Sequence, residues 1–506
     1  MGTWATFGVP SSVGTFSPDT ALLLTDGSVL IHDSFGASWV RLTPDSKGNY
    51  ETGTWSPLLP MTIAREFFAS GVLSDGRVFV VGGEYGPGQL DVTSAEMFDP
   101  TTNTWSAVTK PDAFNYVQGD ASGCVLADGR VLLGNLQTTS PPFSTALWDP
   151  LNNNKWTVAG SKFGASATDT KQAVCNEETW TLLPDGSILT VQNFATPPTL
   201  TQRYVPSLDE WVSTGQTPND LVLTTVNDAS GAAISIYEIG PALLLPDGRV
   251  FAIGGTGNTA LYTPPPDGSD PTISTGSWLA GPTLPKTPEG SLWPVLTTSD
   301  APAVLQTNGK VLCTAGLLYL AQNDCFSENA QFFEFDPKDN SLNPFSPAPI
   351  PSASAPNTWQ LRFLLLPSAQ ILMTTQSSTI YVYTPDANEN VPDTSWKPTL
   401  ASCPSTLVQG HTYTVEGKQL NGLSQAVSYG DDAQQATNYP IFKLWNASGD
   451  VVYLRSSNFS TLAVATGSKR VTADIDVGAM TPTGAWQMVA IANGIPSDPL
   501  DVQVVA

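Results

Sequence analysis

The 506-residue sequence predicts an all-β chain: a seven-bladed β-propeller over residues 1–393, followed by a β-sandwich over 394–506. Three observations predict it. First, a unit of two short apolar runs joined by Asp-Gly recurs. It is clearest in LLLPDGRVFAIGG (243–255), with its turn at Asp247-Gly248. Other copies turn at Asp26-Gly27, Asp75-Gly76, Asp128-Gly129, Asp185-Gly186 and Asn308-Gly309, and a degenerate one turns at Ser368-Ala369. Asp-Gly between apolar runs signals a hairpin, because a type I′ turn needs φ > 0 at both central positions. Second, these turns lie 49, 53, 57, 62, 61 and 60 residues apart, the repeat length of a four-stranded propeller blade. Third, the Asp-Gly unit stops near residue 393.

The second half of each unit supplies the two outer strands. EMFDPTTNTW ends at Trp105, ALWDPLNNNKW at Trp156 and RYVPSLDEW at Trp211; longer versions end at Trp278 and Trp396. The sixth, FFEFDPKDNSL, keeps the strand and turn but lacks the Trp. Such a repeat is of kelch type. Trp4, ahead of the first hairpin, belongs to a strand that closes the ring by pairing with the last blade, which leaves few exposed sheet edges. Beyond 393, the runs HTYTVEGKQL, IFKLWNAS, VVYLRSS, RVTADIDV, WQMVAIAN and LDVQVVA alternate like short strands and predict a sandwich of immunoglobulin type. No segment shows helical periodicity over three turns.

Composition narrows the partners. The net charge is −24, so no basic stripe exists to offset phosphate, and a nucleic-acid partner is not expected. No apolar run is long enough to span a bilayer. Five cysteines are too few for a disulfide scaffold. Cys313 and Cys325 are close enough in sequence to pair, Cys124 and Cys175 sit near inner strands, and Cys403 is alone. Asn446 and Asn458 open N-x-S/T sequons, which matter in a secreted protein. No signal peptide is visible, so a chain that starts natively at Met1 is expected to be cytoplasmic.

The stretch NGLSQAVSYGDDAQQATNYPIFKLWN, then VVYLRSSNFSTLAVATG and VAIANGIPSDPLDV, resembles the C-terminal domain of the galactose oxidase and glyoxal oxidase group. That resemblance implies a seven-bladed kelch propeller joined to an immunoglobulin-like domain, and favours secretion. It also implies one copper held by two histidines and two tyrosines, one of them cross-linked to a cysteine. The first histidine of that set follows a tyrosine, seven residues before the Pro of a late blade's turn. Counting back from Pro367 puts Trp359 and Gln360 there. The second is expected in YLRSSNFST, where Ser456, Ser457, Asn458 and Phe459 stand. Only His32 and His411 occur in the chain. Copper(II) favours imidazole, so a copper site is not expected, and fold alone does not fix function.

Acidic residues recur just before the inner strands, at the face where the resemblance places the metal: Asp19, Glu66, Asp120, Glu177, Glu178, Glu238 and Asp300. Crowded carboxylates raise one another's pKa, so one stays protonated as an acid while another acts as a base. Their oxygens also suit calcium. The bland alternative is that they cap strand ends or line a solvated channel. The candidate catalytic set is His32, Glu66, Asp120, Glu178, Glu238 and Asp300, with His32 the one histidine placed for general-base work. Candidate ligand contacts are Arg65, Tyr85, Glu177, Tyr237, Trp359, Gln360 and Arg362, with loops 84–94 and 317–331 walling the pocket. No P-loop, Rossmann or zinc spacing is present. The expected activity is cofactor-free acid–base chemistry, of lyase, cyclase or isomerase type, on a small organic or carbohydrate ligand, by a monomer. The alternatives are a secreted glycan- or protein-binding module without catalysis, and an oxidase with an atypical metal site.

Overall fold

The computed structural model describes residues 2–110, 118–135, 145–162, 174–228, 230–321, 324–429 and 435–506. Seven four-stranded antiparallel blades form the propeller. The first runs from Pro18–Leu23 to Thr54–Pro57, the fourth from Trp180–Leu182 to Glu210–Gln216, and the sixth begins at Ala303–Leu305. The seventh is completed by Thr3–Gly8, which pairs antiparallel with Thr379–Thr384, Trp4 opposite Tyr383. The ring therefore closes through the N-terminal strand, as the sequence predicts.

The hairpin turns differ from the expected type I′. In the first, the Gly27 amide donates to the Leu24 carbonyl (3.0 Å) and the Leu24 amide to the Ser28 carbonyl (2.7 Å). This is a three-residue loop in which only Gly27 is left-handed, at φ 75°, as in a type I turn followed by a bulge residue. The aspartate has a separate task. Asp26 Oδ1 accepts from the Ser28 amide, and Asp75, Asp128, Asp185 and Asp247 bond the amide two residues on in the same way. The seventh turn keeps the geometry without glycine, because Ala369 takes φ 64°.

The recurrent tryptophans join neighbouring blades. Trp278 Nε1 donates to Thr201 Oγ1 of the preceding blade (3.0 Å), and Trp211 Nε1 does the same to Thr145 Oγ1 (3.5 Å). Between blades five and six, Phe251 and Phe335 stack at 3.7 Å.

Three features depart from the sequence reading. A separate two-stranded hairpin, Leu223–Asn227 with Ala233–Glu238, stands between blades four and five. Residues 317–331 are not a loop: strands Val311–Ala321 and Asp324–Asp336 continue as a long hairpin. Its register puts Cys313 opposite Phe333 and Cys325 opposite Leu320. Seven residues of strand, roughly 20 Å, separate those two positions, far beyond disulfide reach, so the expected pairing does not form. The described helices are single 3-10 turns such as Thr358–Gln360, and no described helix is long and apolar enough to cross a membrane.

The C-terminal β-sandwich is built on one nine-stranded sheet from Thr399–Ser402 to Leu500–Val505. It shares a core with blade one, where Leu22, Leu30 and Leu42 pack with Tyr439, Phe442 and Leu454. It sits against the hairpin-turn face: Phe459 N donates to Ser74 O (3.0 Å) and Arg455 to Asp75 O (2.9 Å). From it, residues 424–429 and 435–438 enter the ring. Gln425 Oε1 accepts from Leu182 N (3.1 Å) and Gln435 Oε1 from Ala21 N (2.6 Å). Ser428 Oγ accepts from Ala242 N (3.2 Å), and Val427–Ser428 pairs with the inner strand of blade six. These bonds reach inner strands of blades one, four, five and six, so Gln425, Val427, Ser428 and Gln435 lie in the central channel and satisfy backbone groups there.

Candidate functional site

At the opposite face from the hairpin turns, the inner strands begin around a pocket of about 210 Å³. One side is acidic, made of Glu84, Asp120, Glu177, Glu238 and Asp300; the other is aromatic, made of Phe35, Phe67, Tyr85, Phe326 and Trp359. The rings meet edge to face, with Phe35 and Tyr85 at 5.3 Å and Phe67 and Trp359 at 6.1 Å, a preferred aromatic geometry. Phe35 and Tyr85 are 44% and 43% exposed, a conspicuous apolar rim on a chain of net charge −24. Phe35, Phe67, Tyr85, Glu177 and Asp300 all take left-handed backbone, with φ between 44° and 55°. Such strain persists only where the surroundings enforce it, and it gathers at functional sites.

Ligand-grade oxygens of Glu177, Glu238 and Asp300 all lie within 4.8 Å of one another. Burial, then the charges of Asp120, Glu238 and Asp300, push the Glu177 carboxyl well above the ordinary carboxylate range. The pocket thus sets a carboxyl of raised pKa beside three further carboxyls, an arrangement that suits acid–base chemistry.

A second acidic group is sealed beneath the aromatic wall. Asp19, His32 and Glu66 are fully buried. His32 Nε2 donates to the Gly36 carbonyl (3.0 Å), which fixes the proton there and turns Nδ1 toward Glu66 Oε2, 4.0 Å away. Burial pushes the imidazole down to about 4. Burial also drives Glu66 well up, helped by the charge of Asp19 and the hydrogen bond between the two carboxyls. For Asp19 burial acts upward too, but the Arg362 guanidinium and the Glu66 hydrogen bond outweigh it and hold Asp19 low. Asp19 Oδ2 and Glu66 Oε1 both lack a donor when the two are ionised; one proton on Glu66 satisfies both. Arg362 completes the unit, 3.7 Å from Asp19 and 3.6 Å over the Tyr429 ring. The Phe35 amide donates to Glu66 Oε2, so this unit braces the aromatic wall.

Of the predicted site residues, Asp120, Glu177, Glu238, Asp300, Tyr85 and Trp359 come together in the pocket. The others do not. His32 and Glu66 belong to the sealed unit rather than the mouth. Glu178 points away from its neighbour into an ion pair with Lys162, and accepts from Trp180 Nε1 (3.2 Å). Arg65 is consumed by Glu96 (3.1 Å) and the Gly82 carbonyl (2.8 Å). Arg362 is buried on Asp19. Gln360 closes a capping box on Asn357, and Tyr237 stacks on Phe194 at 4.3 Å. Glu84 and Phe326 lie in the segments 84–94 and 317–331 expected to wall the pocket, whereas Phe35 and Phe67 went unpredicted. Their one sequence signal is adjacency: Phe67 follows Glu66, and Phe35 lies three residues after His32.

The two-histidine copper set does not fit these residues. His411 is exposed on the sandwich, with Nδ1 by the Gln409 carbonyl (3.1 Å), and His32 is sealed in the first blade. Trp359 offers no lone pair, and Gln360 Oε1 accepts from the Asn357 amide (3.1 Å). Nor does YLRSSNFST approach this face, since Ser456 and Phe459 bond Thr25 and Ser74 beside the hairpin turns; Tyr429 of the sandwich does, donating to the Trp359 carbonyl (2.9 Å).

Comparison with known proteins agrees with the fold. The Kelch motif family model matches residues 67–111. Galactose oxidase of Gibberella zeae is 24% identical over 227 residues, 42% of this chain but only 32% of that protein's length. The F-box protein AFR of Arabidopsis thaliana is 37% identical over 59 residues, 12% of this chain and 16% of its own. Among solved structures, a fungal alcohol oxidase of the AA5 family in complex with copper aligns over 97% of this chain and 85% of its own, at 17% identity and a TM-score of 0.37.

Proposed function

We propose that this galactose oxidase-like kelch propeller binds a small organic molecule in the acidic–aromatic pocket and transforms it by proton transfer, without redox chemistry. The observation that carries the reading is the grouping of Glu177, Glu238 and Asp300 in the pocket, their oxygens within 4.8 Å of one another, where burial and the neighbouring carboxyl charges raise the Glu177 carboxyl. Glu177 gives its proton to the departing or accepting atom of the ligand, and Glu238 or Asp300 takes one from a C–H or O–H. Protons and electrons balance within the ligand, so the outcome is elimination, cyclisation or isomerisation. The pocket of about 210 Å³ is smaller than the ~300–1,000 Å³ usual for drug-sized ligands, which suits a molecule of monosaccharide size. The aromatic wall supplies stacking surface, and Phe35 and Tyr85 at the rim are placed to shed water as the ligand enters.

The test is solvent exchange. The protein is incubated in D2O with a panel of small hydroxy, keto and amino compounds, and deuterium incorporation or a new product is read by mass spectrometry. A substrate showing either is expected to lose about 10²–10⁴ in rate with Glu177→Gln. Equal exchange by wild type and Glu177→Gln contradicts the reading, as does copper-dependent oxygen consumption.

A further inference from the structure

We infer that the C-terminal sandwich carries a second binding site, a groove for a neutral oligosaccharide, with a sugar ring laid on Trp445 and its hydroxyls held by Gln487, Asp501 and Gln503. The site is separate from the propeller pocket, which opens on the face away from the sandwich.

Strand alternation builds the groove. In Ile441–Trp445, Phe442 and Leu444 point into the core, so Lys443 and Trp445 point outward. Gly484–Ala492 sends Trp486 and Met488 inward and Gln487 outward. Leu500–Val505 sends Val502 and Val504 inward and Asp501 and Gln503 outward. The register sets Trp445 opposite Gln487, and Gln487 opposite Asp501. These three side chains form one row across three strands, about 10 Å long at the usual strand spacing. Gln503 stands next along the same face. A cleft of about 630 Å³ runs over the row, within the ~300–1,000 Å³ of small-molecule sites. Its end at Asn446 is preformed, because Asn446 Oδ1 accepts from the Ser448 and Asp450 amides (2.9 and 3.0 Å).

The row is left open to a ligand. The Trp445 indole N–H has no acceptor among the described residues, whereas Trp486 Nε1 donates to the Pro482 carbonyl (3.0 Å). Gln487 donates to Asp501 Oδ1 and Gln503 to the Val504 carbonyl, both at 3.3 Å, long for such bonds. Their amide oxygens and the second Asp501 oxygen remain to accept. The outward side of Arg470–Val477 differs, because its groups satisfy one another. Asp476 accepts from Thr412 (2.6 Å) and Arg455 (2.8 Å), and Asp474 from Thr414 (2.6 Å).

A sugar suits such a row. Its ring offers an apolar C–H face to an indole, and its hydroxyls both donate and accept. Two amides and a carboxylate answer both roles. Charge points the same way: Asp501 is offset by Lys443, whose Nζ lies 5.6 Å from the Trp445 ring centroid, a cation–π distance that steadies the ring. A protein partner would need an apolar centre depleted of charge, which one indole among amides does not provide.

The test titrates the intact protein with cellotriose, maltotriose and chitotriose by calorimetry, the three probes separating linkage from ring substituent. At least one is expected to bind with Kd below about 1 mM. Trp445→Ala and Gln503→Ala should each weaken it, the first by at least about tenfold. Gln503 is exposed, so its variant keeps the test open if Trp445→Ala fails to fold. Neither substitution should alter solvent exchange in the propeller pocket. Failure of all three probes to bind overturns the inference, as does binding that survives both substitutions. Binding lost in Trp359→Ala instead would move the sugar to the propeller pocket, overturning the groove while supporting the proposed function.

Discussion

The two acidic groups begin from the same sequence position, the residues just ahead of an inner strand, and end as different devices. Asp19, Glu66 and His32 are sealed, with Arg362 as built-in counter-charge and one shared proton. Glu177, Glu238 and Asp300 open on a pocket whose described lining holds no basic side chain. The first group therefore has its charge settled by the chain itself and acts as a brace for Phe35 and Phe67. The second faces the pocket, where its carboxyls are within reach of a ligand.

The largest expected effect tests the brace. Arg362→Met strands Asp19 in the core, and breaking a buried ion pair in this way costs about 3–5 kcal/mol. Urea unfolding reads it directly, and a loss within experimental error would show that Arg362 does not hold the sealed unit. His32 comes next. Its folded-state pKa is lowered from 6.5 to about 4, so the stability tied to its neutral form is present above about 6.5 and lost as pH falls toward 4, by about 3 kcal/mol in full. Burial sets this drop, the Asp19 charge and the Gly36 carbonyl oppose it, and the charges of Arg65 and Arg362 add to it; Glu66 also faces the ring. His32→Asn should flatten that acid limb of the stability curve.

Glu66 and Glu177 shift the other way. A carboxyl whose folded pKa is raised contributes stability below about 4.5, lost as pH rises through the folded value. Each contributes at most about 1.4 kcal/mol per pH unit over that window, and Glu177 less, because the pocket lets solvent screen it. Unfolding midpoints measured from acid to neutral pH should fall less steeply in Glu66→Gln and in Glu177→Gln. Only the second substitution should also change solvent exchange in the pocket, which separates the two groups. The smallest effect is at the rim: Tyr85→Ala should leave stability within about 0.5 kcal/mol while weakening any ligand that fluorescence of the pocket detects.

The blades were legible because their signal is local and repeated. Each Asp-Gly fixes its own loop, and Trp105, Trp211 and Trp278 each reach the blade before their own, although Trp396, expected in an outer strand, lies in a 3-10 turn. The pocket acids were legible for the same reason, since position relative to an inner strand suffices to bring Asp120, Glu177, Glu238 and Asp300 together. Glu177 and Glu178 could not be told apart, because the left-handed backbone at Glu177 (φ 54°) decides which of the two meets the pocket. Tyr85 and Trp359 of the aromatic wall were legible, but Phe35 and Phe67 escaped notice for a related reason: they reach it from left-handed positions that bulky residues seldom adopt. The channel segment was hidden too, since its partners Ala21 and Leu182 lie hundreds of residues from Gln435 and Gln425.

The most direct measurement follows the Glu177 carboxyl through its titration, in protein labelled with carbon-13 at glutamate side-chain carboxyls and assigned by loss of the signal in Glu177→Gln. The account predicts a Glu177 carboxyl that titrates well above the ordinary glutamate range. A Glu177 signal that is fully ionised by about pH 5, close to the ordinary glutamate range, would contradict it.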